Sequence, residues 1–470
     1  MSNDSTNKKA APRGEEWRRM DGRDAVYDPT LSAETLRQAR DGIEEHRKGI
    51  LSLQILNSRG QPLPNQRVTV EQCKHAFLFG EQLWTLDAMY RDEEEETERA
   101  RAWKRRFLEV FNAATNLCYW TERDRNDASK TEAFQGEPRI RNFAQTVDWC
   151  LASGLTPKGH PLFWSIEKGI PDWVKRYDIE TQMKFAEVRV RNLVARFRGR
   201  VKLWDATNEA IWEPAPKNIP ERAWPHKETL GNMVEYVSEV LRWCREEDPE
   251  ACFLVNDYGT ENAFNRELPR CPQDGSEVTA LSQRRRYKEL VHALGEAGQP
   301  PDAVGLQSHT GWVHDHAEQI AVYDDYAGTG IPIHITEFWA HTDHLEKLGL
   351  PPEERDQLQA EYMANYLTCA FGHPRVEAFF FWGFMGSVIA WKERSGHVLK
   401  PAFTRIRDLI AKEWKTRYEG VTDAEGRIKF RAFYGDYTVR TRLPGRASEQ
   451  GERFVHDRQP AGRVIRFGTL

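Results

Sequence analysis

Between residues 75 and 384, short and nearly continuous apolar runs alternate with stretches whose apolar residues recur every three or four positions. The runs are HAFLFGEQL (75–83), NAATNLCYW (112–120), TPKGHPLFW (156–164), VKLWDATNEA (201–210), ACFLVNDYG (251–259), AVGLQSHT (303–310), IPIHITEFW (331–339) and VEAFFFWGF (376–384). Runs of this kind predict strands covered on both faces, as in a parallel sheet. TQMKFAEVRVRNLVARFRG (181–199), TLGNMVEYVSEVLRWCREE (229–247) and EERDQLQAEYMANYLTCAF (353–371) carry the helical period. Eight strands, most followed by a helix, predict an α/β chain folded as a (β/α)8 TIM barrel. A doubly wound open sheet is the rival arrangement. Such a sheet more often shows a Gly-rich phosphate turn, and neither GxGxxG nor a Walker A motif occurs.

The period differs at both ends. Residues 1–30 are polar and charged and are expected to lack order. DPTLSAETLRQARDGIEEHRKG then predicts a helix capped by Ser32. GILSLQILNSRGQPLPNQRVTVEQC predicts two alternating strands around a Gly/Pro/Asn turn. GVTDAEGRIKFRAFYGDYTVRTRL, residues 420–443, has the same alternation. The expected organisation is a β-rich accessory module built from 31–74 and 416–470, flanking a catalytic barrel at 75–415.

Composition narrows the partners. With 470 residues, 30% charged and a net charge of −5, the chain lacks the basic field that nucleic acid or an anionic membrane surface attracts. No apolar run approaches the roughly 20 residues of a membrane span, and the start lacks the apolar core of a signal peptide. The compartment and the oligomeric state are left open. Seven cysteines, none in a CxxC pair, support neither a zinc ribbon nor a disulfide framework and favour a reducing environment. Cys118 and Cys252 read as small core residues. His309, His314, His316, His341 and His344 fit no standard zinc spacing and read as loop histidines, so no metal or other cofactor is expected. The charge runs 91–99 and 282–289 read as solvated helix faces.

Several runs begin apolar and finish polar: His160 and Trp164, Asn208 and Glu209, Asn256 and Tyr258, Gln307 and His309, Glu337, and Trp382. In a parallel barrel these ends emerge on one face, where such folds keep their active sites. Glu209 and Glu337 close the fourth and seventh runs. Two carboxyl groups about 5–5.5 Å apart are what double-displacement glycoside hydrolysis requires. Trp204, Ile211 and Trp212 around Glu209 suit a proton donor, whereas His309 and Gln307 suit an ionised nucleophile at Glu337.

At this point the motifs resemble a known family, glycoside hydrolase family 10, the β-1,4-xylanases. WDATNEA resembles its WDVVNEA acid/base motif and HITEF its ITEL nucleophile motif. GHPLFW is similar to GHTLVW, VNDYG to YNDYN, GLQSHT to the GxQxH strand, and FFFWGF to the eighth strand. The resemblance implies a (β/α)8 barrel with Glu209 as acid/base and Glu337 as nucleophile. It also implies Asn208 on the sugar's 2-hydroxyl, and a sugar site lined by His160, Trp164, Gln307, His309, Trp382 and Trp391, with Asn256 and Tyr258 in the motif between. In the second strand Asn116 and Trp120 match the family's TxENxMKW, which implies that both bind the substrate. Thr115 and Tyr119 stand where it has glutamate and lysine, and Trp339 where it commonly has an aspartate. Losing that carboxylate and cation removes charged hydrogen bonds that discriminate sugars. Three functions are therefore weighed: a retaining endo-1,4-β-xylanase on xylan or xylo-oligosaccharides, the same chemistry on another β-linked or decorated glycan, and a barrel that binds carbohydrate without turnover.

Overall fold

The computed structural model describes residues 27–84, 97–120, 130–166, 169–212, 230–261, 275, 278–309, 315–340, 342–391, 397–443, 448–458 and 462–468. Eight strands close into a parallel barrel: Leu78–Gln82, Ala113–Leu117, Thr156–His160, Leu203–Asn208, Cys252–Asp257, Ala303–Leu306, Ile333–Phe338 and Val376–Phe381. Each pairs in parallel with the next, and the eighth pairs with the first through Ala378↔Leu78 and Phe381↔Glu81. Closure sets the open-sheet alternative aside. Every strand stops short of the apolar run that predicted it. The polar residues that end those runs lie at the last positions of the strands, as His160, Asn208, Asn256 and Glu337 do, or just beyond them.

Periodicity located the helices because burial follows it. In the helix Leu230–Glu247, Met233, Tyr236, Val237, Val240, Leu241 and Cys244 are buried, a stripe facing the barrel. Inside the barrel the lower layer is Leu78, Ala113, Leu203, Leu254, Ala303, Ala378 and Phe380. A Cβ on Gly80 would fall 2.2 Å from the Phe380 ring, so only glycine lets that ring occupy its place. Among the described residues, no helix is long and apolar enough to cross a membrane.

The chain ends form two further sheets. One orders Arg427–Phe433, Lys48–Leu56 and Arg463–Arg466; the other orders Arg417–Val421, Arg67–His75, Gly435–Thr441 and Gln450–His456. The two N-terminal strands thus belong to different sheets and do not pair with each other, contrary to what the short turn between them would permit. Leu51, Leu53, Ile55, Val68, Val70, Ile428, Tyr437 and Val439 fill the space between the sheets. Arg47 joins this unit to the barrel: its guanidinium donates to the carbonyls of Phe371, His373 and Val376, where the eighth strand begins. The contact lies at the N-terminal end of the barrel, away from the converging polar residues.

Residues 1–26 lie outside the described residues, as do 91–96 of the acidic run, Cys271, His314 and His341. The helix at the start is Ala33–Arg47, and Ser32 makes no side-chain cap bond. Instead Asp28 caps a preceding turn at Pro29–Ser32. Tyr27, within the stretch expected to lack order, is buried, with its hydroxyl 2.8 Å from His316 Nε2 and accepting from Asn365 at 2.7 Å. His316 accordingly faces the helix layer and not a loop cluster.

Candidate active site

The fourth strand bulges before it ends. Leu254 pairs with Asp205 and Val255 with Thr207, leaving Ala206 as the extra residue. A bulge re-aims the side chains beyond it. Here those are Asn208 and Glu209, and Glu209 itself takes a left-handed backbone conformation at φ +62°. Its amide donates to the Asn256 carbonyl at 2.8 Å, and Asp257 Oδ2 accepts from the Ile211 amide at 2.9 Å. The fifth strand thereby fixes the turn that carries Glu209.

Two side-chain amides connect the carboxylates. Gln307 Nε2 donates to Glu209 Oε1 at 3.1 Å and to Asn208 Oδ1 at 3.3 Å. Asn256 Nδ2 donates to Asn208 Oδ1 at 2.9 Å and to Glu337 Oε1 at 2.8 Å. Thr336 donates to Asn256 Oδ1 at 2.6 Å, which turns the NH2 group toward its two acceptors. Trp164 Nε1 donates to Glu209 Oε2 at 2.8 Å. His309 Nε2 stands 3.0 Å from Glu337 Oε2.

Charge beneath the site organises the imidazole of His160. Lys158 Nζ lies 2.6 Å from Asp205 Oδ2, both fully buried, and His160 Nδ1 lies 2.6 Å from the same oxygen. His160 Nε2 is then 3.9 Å from Glu337 Oε1. Burial raises the pKa of Asp205, but the Lys158 charge and the His160 hydrogen bond outweigh it and hold the carboxyl below its ordinary range. Glu337 follows the same logic. Burial pushes its pKa up; the His309 hydrogen bond, with the electrostatic influence of His160, His309 and Lys158, brings it below the usual carboxylate value.

Most of the expected residues meet here: Glu209, Glu337, Asn208, Asn256, Gln307, His309, His160, Trp164 and Trp382. The Trp382 ring is 5.3 Å from that of His160 and 6.4 Å from that of His309. Tyr119 joins them, its ring 5.7 Å from His160 and 5.8 Å from Trp164, while Thr115 is fully buried in the adjacent strand. Others do not. Asn116 turns outward and bonds the Ala114 carbonyl and Cys150 Sγ, because alternation along the second strand sends it to the opposite face from Thr115. Trp120 donates to Glu132 at 2.8 Å beneath Arg189 and belongs to the outer core. Tyr258 stacks on Trp212 at 5.0 Å. The side chain of Trp391 lies outside the described residues. Gln307 serves Glu209 and not Glu337, and Trp204 packs on Phe143 outside the barrel, so the surroundings expected of Glu209 are replaced by two N–H donors.

The sequence reading missed Lys158, Asp257, Thr336 and two further buried carboxylates. Glu81, at the end of the first strand, accepts from the amides of Gly383 at 3.1 Å and Phe384 at 3.3 Å, directly behind Trp382. Burial raises its pKa to about 8, against the lowering effect of those amides. Glu261 lies beyond the fifth strand and accepts from Ser308. An acid or a lysine inside an apolar run was the available signal for Glu81 and Lys158.

Comparison with known proteins bears on the fold and the family. Over 426 residues the chain is 26% identical to the anti-sigma-I factor RsgI6 of Acetivibrio thermocellus, covering 89% of this chain and 48% of that protein. It is 28% identical over 287 residues to endo-1,4-beta-xylanase B of Thermotoga neapolitana, covering 58% of this chain and 74% of the relative. It spans 26% of endo-1,4-beta-xylanase 2 of Arabidopsis thaliana, at 24% identity. The chain thus spans half or less of the length of two of these curated relatives. Native xylanase 10B of Thermotoga maritima shares the fold at 20% identity and a TM-score of 0.52, over 72% of this chain and 96% of that one. An endoxylanase from a sugarcane soil metagenome does so at 16% identity and 0.53, over 71% and 97%. Residues 114–399, more than half of the sequence, match the profile described as Glycosyl hydrolase family 10, and the chain belongs to that family.

Proposed function

We propose that the chain is a retaining β-glycosidase acting as an endo-1,4-β-xylanase on xylan or xylo-oligosaccharides. The observation that carries this reading is the amide relay, which ties Glu209 to Glu337 through Gln307, Asn208 and Asn256. Glu337 is the nucleophile: its depressed pKa keeps it ionised, ready to attack the anomeric carbon. Glu209 gives its proton to the departing glycosidic oxygen. The glycosyl–Glu337 ester then breaks when Glu209, now a base, takes a proton from the attacking water, so configuration is retained overall. With Glu337 ionised, like-charge repulsion favours the proton on the second carboxyl. Asn208, held between two amide donors, has its Nδ2 left for the sugar's 2-hydroxyl. Trp164, Trp382 and Tyr119 supply flat faces for sugar rings. This chemistry uses no metal or organic cofactor.

A second reading has its own observation. Tyr119 replaces the family's lysine with a ring beside His160 and Trp164, and Lys130 Nζ lies 4.4 Å over that ring. An aromatic wall where a cation and a carboxylate usually bind suits a differently decorated β-linked glycan. A product-resolved screen of β-linked polysaccharides and oligosaccharides separates the two. Reducing sugar from unsubstituted xylan supports the first, and turnover confined to substituted glycans supports the second. A wild-type protein that binds these sugars and releases none contradicts both.

A further inference from the structure

Gln307 and His309 each hold one of the paired carboxylates, and a single residue separates them. That residue, Ser308, has φ +56°, a left-handed conformation that β-carbon sterics make costly for any L-residue other than glycine. It is fully buried, and its hydroxyl donates to Glu261 Oε1 at 2.8 Å. Tyr366, on the helix Pro352–Gly372, donates to the same hydroxyl oxygen at 3.4 Å, and Thr260 donates to Glu261 Oε2 at 3.3 Å. Alternation explains why the turn must be left-handed. In an extended segment, residues 307 and 309 would share a face at a fixed spacing; the left-handed kink splays them, so Gln307 reaches Glu209 at 3.1 Å while His309 reaches Glu337 at 3.0 Å. Glu261 touches neither paired carboxylate in any of these bonds, and the glycosidase mechanism gives it no task. Its burial raises its pKa, a cost that no surface loop would need to bear.

We propose that Glu261 is a positioning residue that, through Ser308, holds the left-handed turn presenting Gln307 to Glu209 and His309 to Glu337. The kinetic part of this proposal rests on the glycosidase reading; the geometric part does not. Splaying two donors from adjacent positions lets one short segment serve both acids, and the anchor keeps the strained residue from relaxing into the extended region.

The test compares Glu261→Ala, Glu261→Gln, Ser308→Ala and Ser308→Gly with wild type on 4-nitrophenyl β-xylobioside. Glu261→Ala is expected to lower kcat roughly tenfold or more, with KM changed less than about threefold. Glu261→Gln, whose amide oxygen still accepts the Ser308 hydroxyl, recovers most of that loss. Ser308→Gly retains more kcat than Ser308→Ala, because glycine adopts a positive φ without steric cost. A packing role predicts the opposite order, since alanine fills the buried site better. The acidic limb of kcat/KM in Glu261→Ala moves to higher pH as Glu337 loses His309. If Glu261→Ala fails to fold, the order of the two Ser308 variants decides. Wild-type kcat in Glu261→Ala, or a Ser308→Ala that equals or exceeds Ser308→Gly, overturns the proposal. Should the wild-type chain turn over no xyloside, the xylanase reading falls, and the crystal structure of Glu261→Ala decides the positioning. Ser308 leaving the left-handed region with His309 withdrawn from Glu337 supports it; an unchanged turn overturns it.

Discussion

His309 Nε2 stands 3.0 Å from Glu337 Oε2, and this contact is the largest of the influences that lower the pKa of a carboxyl that burial pushes up. A carboxyl whose folded pKa is depressed contributes stability above its unfolded pKa and loses it as pH falls through the folded value. The ionised carboxylate that the proposed mechanism uses as nucleophile is lost over the same fall. His309→Ala therefore moves the acidic limb of the kcat/KM profile to higher pH and lowers kcat. The same variant is less stable than wild type above the ordinary carboxylate range, and the difference in melting temperature narrows as pH falls. A profile that superimposes on wild type contradicts the assigned partnership.

Gly305 is a second point of control. A Cβ there would fall 2.5 Å from Asn256 Oδ1, the oxygen that Thr336 holds. Gly305→Ala must displace the amide that joins Asn208 to Glu337. Its activity is expected to fall by about 100-fold, because small misplacements at a reacting centre cost that much. Folding should survive, with a destabilisation of about 1–3 kcal/mol from overpacking. Activity assays paired with a melting curve check both halves.

Glu81 links the first strand to the loop after Trp382. Its folded pKa near 8 lies above the ordinary carboxylate value, so the folded state loses stability as pH rises from the usual carboxylate range toward about 8. Glu81→Gln removes the titration and keeps an acceptor for the Gly383 amide. Its melting temperature should decline less than that of wild type across this window. An identical decline in both proteins removes Glu81 as the cause.

Tyr119 invites reversion to the family's lysine. Lys130 Nζ already lies 4.4 Å from its ring, so a second ammonium placed there meets a like charge in a buried setting. Tyr119→Lys alone is expected to lower activity, and adding Lys130→Ala to recover part of the loss. Tyr119→Phe, which keeps the ring, stays within about threefold of wild type. Steady-state rates on xylobiosides and on substituted xylo-oligosaccharides measure the series.

Much of this arrangement was legible before any coordinates. The eight strands were readable because burial on both faces demands continuous apolar runs, and the acids Glu209 and Glu337 stood out against them. Side-chain direction was not readable near the strand ends. A bulge at Ala206 and the left-handed conformation of Glu209 break the two-residue alternation there. For the same reason Gln307 was assigned to the wrong acid, being separated from His309 by a positive φ that sequence does not announce. Asn116 and Trp120 were misplaced because a motif match carries identity without facing. Partners remote in sequence, such as Lys158 with Asp205, became visible only when the barrel closed.

In the proposed mechanism residues 209 and 337 act on one sugar from two sides. Incubation with a 2-deoxy-2-fluoro-β-xylobioside bearing a good leaving group, followed by peptide mass spectrometry, tests it most directly. A stoichiometric fluoroglycosyl ester is expected on Glu337, formed also in Glu209→Ala because such a leaving group needs little protonation. Labelling at any other residue, or an adduct that forms on Glu209, would contradict it.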